Sequence, residues 1–391
     1  MNLTSQLQLR GITWNHTRGY VPLVATAQRF SELHPNVTIQ WQTRSLQAFA
    51  DQPLVELAQS FDLLVIDHPS IGFAAEAGLL MPLDSHLPAG FLADLASSSV
   101  GESHASYQWQ GHQWALAIDA ATPVSGWRED LMARAEAEVP ETWEQLLALA
   151  RRGLVAVPGL AIDSLMNLYM LCIALGEEPF LEPGRFVSED TGAEALQLLR
   201  SLIAACHPSC RMRNPIATWE ELANGESVAY CPFAYGYSNY SRHGYARHPL
   251  RVGGLVAIGG STPLRSTLGG AGLAVSRSSA HVEAALKYVQ FTASSEVQST
   301  LYFDAGGQPG HRDAWANNEV NRRSNQFFAA TLPTLDSAYV RPRFSGYLDF
   351  QDAAAPVVHH YLGAGHAERD VIRSLNSLLL QCTAGRRAVS K

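Results

Sequence analysis

A chain of 391 residues is longer than one typical hydrophobic core supports, so two domains are expected. Apolar residues make up 47% and charged residues only 16%, which argues for a globular chain and against disorder. A formal net charge of -8, from 28 basic and 36 acidic residues with no Lys/Arg cluster, argues against a nucleic-acid surface, and no apolar run approaches membrane-spanning length.

The opening residues, MNLTSQLQLRGITW, show no basic segment followed by an apolar one, so no secretory signal is read there. Leu7 to Thr13 alternates in part and predicts the first strand, ending in the polar and aromatic turn Trp14-Asn15-His16-Thr17-Arg18-Gly19. Leu23, Ala27, Phe30 and Leu33 then fall at helical spacing, and Pro35 ends that helix. Val37 to Trp41 alternates as a second strand, and Phe49 to Gln59 predicts a second helix. In FDLLVIDHPSIGFAAEAGLLMPLD, Leu63 to Ile66 is the continuous apolar run of a strand buried on both faces. Asp67-His68-Pro69 stops it, and Ser70 to Ala77 reads as a short helix closed by Gly78 at the C′ position. This β-α-β-α-β order demands a parallel sheet with right-handed crossovers. Ligands of open α/β sheets sit beyond the carboxyl ends of strands, which marks Asp67-His68 as a meeting point for a ligand group.

Further along, Tyr107 to Ile118 carries a hairpin signal around Gly111 and ends at Asp119. Trp127 to Leu131 and Pro140 to Leu146 each read as the opening of a helix. Thr142 with Gln145 forms a capping box, and Thr218 with Glu221 repeats the pattern. Val228 to Phe233 reads as a buried strand running into Tyr235, Tyr237, Asn239 and Tyr240, and Val252 to Ile258 as another. Gly269 to Val275, a helix over His281 to Thr292, the glycine-rich Tyr302 to Arg312 and a mostly helical remainder complete the chain. Of the five cysteines, Cys206 and Cys210 in CHPSC make the one local pair. Free thiols, a disulfide and a metal pair all remain open there, although no second ligand pair follows at zinc-site spacing.

In this order and spacing, the blocks FDLLVIDHPSIGFAAEAGLLMPLD, YQWQGHQWALAIDAATPVSGWREDLM, PETWEQLLALA, LANGESVAYCPF and GGAGLAVSRSSAHVEAALKYVQFTASSEVQSTL resemble the family 1 extracellular solute-binding proteins. These are the maltose-binding-protein-like receptors of ABC importers. The resemblance implies an α/β, two-lobed periplasmic-binding-protein-like fold of type II, with mixed and parallel sheets and inter-lobe hinge crossings near Asp119-Ala120, Pro263-Gly269 and Pro309-Arg312. Residues 1–119 and 266–310 would form the first lobe, and residues 120–265 and 311–391 the second, with the C-terminal helices. The implied function is capture of a small polar ligand, a sugar or polyol, by hinge closure for ABC-type import. The implied partners are ABC permease subunits, if the protein is exported, with the receptor itself a monomer. A periplasmic or extracellular location follows from the resemblance. The absent signal keeps a cytoplasmic ligand sensor, or an enzyme recruited from the same fold for an anionic small molecule, as the alternative.

Candidate ligand groups follow from strand ends and family position. Trp14 offers an aromatic platform or caps the first core, and His16 a polar hydrogen-bonding group. Arg18 suits an anionic ligand group or an ordinary surface position. Asp67 and His68 supply acceptors and a donor for hydroxyls, and Asp119 lies at a crossing. Asp163 and Asn167 share one helix face and point into the cleft or pack in the core. Tyr235 and Tyr237 follow a buried strand, Gly270 permits close backbone approach, and Gln308 and Arg312 flank the third crossing. Arg341, Arg343 and Tyr347 lie in RPRFSGYLDF; convergent arginines would mean an anionic ligand. His16, Asp67, His68 and Asp119 could also form an acid–base set. No hydrolase, P-loop, dinucleotide or zinc-protease motif is present, and neither cofactor nor metal is expected.

Overall fold

The protein was analysed as a computed structural model, which describes residues 6–51 and 53–387. Its strands are β1 (Leu7–Trp14), β2 (Val37–Arg44), β3 (Leu63–Ile66), β4 (Gln108–Trp109), β5 (His112–Gln113), β6 (Leu116–Ala121), β7 (Pro123–Trp127), β8 (Tyr230–Tyr235), β9 (Arg251–Gly253) and β10 (Gly269–Val275). The chain divides into two compact units. Met1–Ala121 with Gly269–Arg322 forms unit 1, and Thr122–Leu268 with Arg323–Lys391 forms unit 2.

Unit 1 is built on a five-stranded sheet in the order β2-β1-β3-β10-β6. β1 pairs in parallel with β2 and with β3, while β10 runs antiparallel to both β3 and β6. The apolar run of β3 is buried on both faces, as its composition predicts. Leu63 and Val65 pack into one core with Leu9, Phe30 and Ile118, and Leu64 and Ile66 into another with Ile12, Leu57 and Ile71. Alternation along a strand sends successive side chains to opposite faces, so four residues serve both layers. The helix Thr17–Leu33 covers one face through Leu23, Ala27 and Phe30. Gly78, in the left-handed region at φ 62°, closes the helix Ile71–Glu76. β4 and β5 form the expected hairpin, turning through Gln110 and Gly111 at φ 50° and 80°, the sign a two-residue type I′ turn requires.

Unit 2 carries a three-stranded antiparallel sheet, β8-β7-β9, and the helices Trp143–Arg151, Ala161–Ala174, Glu189–Ala205 and Tyr347–Ala364. Trp143, Leu165, Leu196, Trp219, Tyr230 and Phe350 lie in its core. The capping box of Thr142 and Gln145 is formed in both directions.

Several local expectations are corrected. Trp127 does not open a helix: it ends β7, held between β8 and β9, and the helix begins at Glu129. Gly126 makes that strand possible, because a Cβ there would stand 2.5 Å from the Trp219 ring. Thr218 is not a cap. Asn214 caps the helix Pro215–Asn224 by accepting from Ala217 N, and Thr218 lies inside, donating back to the Asn214 carbonyl. The expected helix over Phe49 to Gln59 is two helices, Leu46–Asp51 and Leu54–Ser60, parted at Pro53, which lacks the N–H a continuous helix needs. The strand expected over Val252 to Ile258 covers only Arg251–Gly253. The divisions between the units fall at Ala121/Thr122, Leu268/Gly269 and Arg322/Arg323. Residues 311–322 belong to unit 1, where Arg312 donates from its N–H to the Ser98 carbonyl (2.8 Å) and from Nε to the Ser99 carbonyl (2.8 Å).

Candidate functional site

Because β1, β2 and β3 are parallel, their carboxyl ends lie along one edge of the unit 1 sheet. β6 ends at that edge and antiparallel β10 starts there. The edge therefore collects Trp14, His16 and Arg18 after β1, Arg44 at the end of β2, Asp67-His68 after β3, Asp119 near the end of β6, and Gly270 at the start of β10.

His16 caps the helix Thr17–Leu33, its Nδ1 accepting from Arg18 N at 3.0 Å. An accepting Nδ1 leaves the neutral ring's hydrogen on Nε2. Burial, and then the adjacent Arg18 charge, hold the imidazole down at about 4, so the ring is neutral at physiological pH.

Arg18 is neither an ordinary surface residue nor an open anion receptor. It is 3% exposed, and its guanidinium forms a bidentate pair with Asp119, which is 1% exposed. Nε donates to Oδ2 at 2.7 Å and Nη2 to Oδ1. Burial pushes the Asp119 carboxyl up from its ordinary value, while Arg18's charge and hydrogen bonds act in the opposite direction. The acid–base set suggested by sequence thus loses Asp119, whose oxygens both accept from Arg18.

Trp14 is 4% exposed and lies in the core, which corrects its reading as an open platform. Gly19 is packed so closely on its ring that a Cβ would stand 2.3 Å away, and Phe49 lies at 5.3 Å between ring centroids. Asp67 is the more accessible group: its carboxylate, 30% exposed, accepts from His68 N at 2.9 Å and lies 3.2 Å from His68 Nδ1. His68 itself is fully buried, edge-on to Tyr107 with ring centroids 6.3 Å apart.

Gly270 has φ 106°, and a Cβ there would stand 2.3 Å from the Asp119 carbonyl oxygen, so the close approach is to this chain's own backbone. Gln308 is 1% exposed and belongs to the same framework, donating from Nε2 to the Ala120 carbonyl at 2.7 Å. Arg312, as described above, ties its segment to Ser98 and Ser99.

Within unit 2, Tyr235 ends β8, and its hydroxyl shares a 3.0 Å hydrogen bond with Thr267 Oγ1. Thr267 gives its carbonyl to Thr122 Oγ1 at 3.0 Å. Tyr237 is 5% exposed and packs in the core beside Tyr240 at 6.4 Å. Asp163 and Asn167 are both buried in the helix Ala161–Ala174. Asn167 Nδ2 donates to the Pro158 carbonyl at 3.2 Å, whereas Asp163 Oδ2 has no partner. Burial pushes the Asp163 carboxyl up to about 8. Arg341 is buried, with Nε on the Leu268 carbonyl at 3.2 Å, and Tyr347 is buried beside Tyr169.

Arg44 is the edge residue that reasoning from sequence passed over. It donates to the Val65 and Ala48 carbonyls, each at 3.2 Å, and its guanidinium lies 5.1 Å from the Phe49 ring centroid. A charged residue closing an alternating strand was the available signal. Among the described residues no group of three or more His, Cys, Asp or Glu side chains is arranged to hold a metal ion.

Against known proteins, the sequence profile of a family described as bacterial extracellular solute-binding protein matches residues 25–327. The fold is that of two-lobed solute-binding proteins. Maltose-bound MalE3 of T. maritima superposes with a TM-score of 0.84 at 18% identity, covering 95% of this chain and 99% of that one. An ABC transporter solute-binding protein of Agrobacterium radiobacter in complex with ribitol gives 0.82 at 17% identity, covering 97% and 99%. One from Agrobacterium vitis with bound D-mannitol gives 0.79 at 16% identity, covering 97% and 99%.

Proposed function

The chain belongs to the bacterial extracellular solute-binding proteins, and from that premise we propose that it captures a neutral sugar or polyol for ABC-type import. The observation that carries the solute's character is the Arg18–Asp119 pair. The most buried cation of the unit 1 edge, Arg18, is already matched by a carboxylate and so is not held in reserve for an anionic solute. The polar groups beside it are a neutral imidazole at His16 and the accessible carboxylate of Asp67. An imidazole donor and a carboxylate acceptor suit hydroxyl groups, which both give and take hydrogen bonds. Structurally similar proteins were solved with maltose, ribitol and D-mannitol, the same chemistry.

In this reading Asp67 and His16 at the unit 1 edge hydrogen-bond the solute's hydroxyl groups. The protein acts as a monomer outside the cytoplasm and delivers to ABC permease subunits. A thermal-shift panel of neutral sugars and polyols beside sugar acids tests the solute class. A ligand present at a hundredfold excess over its Kd adds about 2.7 kcal/mol of apparent stability. At least one neutral member is expected to raise Tm, and Asp67→Asn is expected to cut that shift. Stabilisation by the acids alone would overturn the reading.

A further inference from the structure

The CHPSC turn is the sequence motif that solute capture leaves unused. We propose that Cys206 and Cys210 are a dithiol that closes to an intramolecular disulfide, with Cys206 as the thiol that meets the oxidant. This goes beyond solute capture and does not depend on it.

Cys206 ends the helix Glu189–Ala205 in an extended conformation, and Pro208 starts the tight turn Pro208–Met212 two residues on. Cys210 N donates to the His207 carbonyl at 2.9 Å, which folds the second cysteine back toward the first. The two thiols are thereby hydrogen-bonded to each other. Neither is open to bulk solvent, at 6% and 1% exposure, yet their surroundings differ. Cys206 lines a recess of about 560 Å³ with Arg200, Arg211, Pro208 and Tyr361, whereas Cys210 is not among its lining residues.

The recess suits an incoming disulfide. Arg211 Nη2 donates to the His359 carbonyl at 3.1 Å, and the Arg200 guanidinium lies 5.8 Å from the Tyr361 ring centroid, so two cations line the same recess as Cys206. The thiolate is the attacking form; Cys206 is pushed up by its hydrogen bond with Cys210 and by burial, so the pair's charge rests first on Cys210. The hydrogen bond from one thiol to the other draws the pair's first proton off more easily by stabilising the remaining S–H···S⁻. The other two cysteines of this unit's core, Cys172 and Cys231, have their thiols pushed up by burial and do not line that recess.

The exchange balances with a low-molecular-weight disulfide, RSSR, as oxidant. Proton transfer across the S–H···S⁻ bond puts the thiolate on Cys206. It attacks RSSR, forming a mixed disulfide and releasing RS⁻, which takes up a proton. Cys210 then loses its proton, and its thiolate attacks Cys206 Sγ and expels the second RS⁻. Two thiols are oxidised to one disulfide and RSSR is reduced to two RSH. An oxidising compartment outside the cytosol is where such a bond persists. Closure fixes the turn whose C-cap, Arg213, holds an earlier segment, since Gly159 and Leu160 both donate N–H to the Arg213 carbonyl, at 3.0 and 3.2 Å.

Arg200 and Arg211 place both cysteines in a single tryptic peptide, residues 201–211. The full chain, reduced and then exposed to glutathione disulfide, is quenched with acidic N-ethylmaleimide and digested. The expected peptide is lighter than its dithiol form by two hydrogens and carries no maleimide, and prior reduction restores two maleimides. In Cys210→Ser a glutathione adduct should accumulate on Cys206. In Cys206→Ser, adduct formation at Cys210 should be about tenfold slower, because the remaining thiol is sealed. Two maleimides after oxidation, a bond to Cys172 or Cys231, a glutathione adduct that persists in the wild type, or equal adduct rates in the two variants would each overturn the proposal.

Discussion

Replacing Asp163 by Asn tests whether a carboxyl is held protonated inside unit 2. Asp163 lies in the first turn of the helix Ala161–Ala174, 6% exposed, with Oδ2 unpartnered and its carboxyl pushed up to about 8 by burial. An unfolded aspartate loses its proton near pH ~3.9. From there to about pH 8 the folded chain holds a proton that the unfolded chain has released. Stability therefore falls as pH rises through that window, by about 1.4 kcal/mol per pH unit, and the loss levels off above it. Integrated from pH 5 to pH 8 with curvature near the upper limit, this group removes about 4 kcal/mol. Asparagine has the same shape and cannot ionise. Asp163→Asn and wild type should have unit 2 stabilities within about 1 kcal/mol at pH 5, diverging to about 4 kcal/mol in favour of the variant at pH 8. Urea unfolding at several pH values, followed by tryptophan fluorescence, measures both curves; Trp127, Trp143 and Trp219 report on this unit. Parallel curves across that range would refute the protonated carboxyl.

The Arg18–Asp119 pair predicts a non-additive result in chemical denaturation. Asp119→Ala strands a buried guanidinium and should cost about 3–5 kcal/mol, while the double change Arg18→Met with Asp119→Leu should recover most of that loss. Equal penalties for single and double variants would contradict this. Gly270→Ala, at φ 106° and 2.3 Å from the Asp119 carbonyl oxygen, should lose about 3 kcal/mol of unit 1 stability, visible as a lower denaturation midpoint. Thr142→Ala removes one half of a capping box and should cost about 1 kcal/mol by the same measurement.

Much of unit 1 was legible because its signals are local and agree with one another. β3 announces itself by four aliphatic residues between polar punctuation, Pro35 and Gly78 mark helix ends, and Gly111 marks a hairpin. Legibility failed where the deciding contact is distant in sequence. β7 reads as a helix approach until β8 and β9 pair with it from about a hundred residues away. Arg18 and Asp119 each looked like a ligand group because nothing in either neighbourhood says that the other is its partner. Trp14 is a similar case: an aromatic at a strand end suits a sugar face, but Gly19, five residues on, lets the helix settle onto its ring. Asp67 kept its accessibility because its local hydrogen bond to His68 N leaves the carboxylate partly exposed.

Isothermal titration of the full chain with neutral sugars and polyols, followed by recovery and mass analysis of the solute, tests the account most directly. The expected result is saturable one-to-one binding of at least one such solute, recovered chemically unchanged, with affinity weakened about tenfold or more by Asp67→Asn. No binding by any neutral solute, or a recovered solute that has been converted, would contradict it.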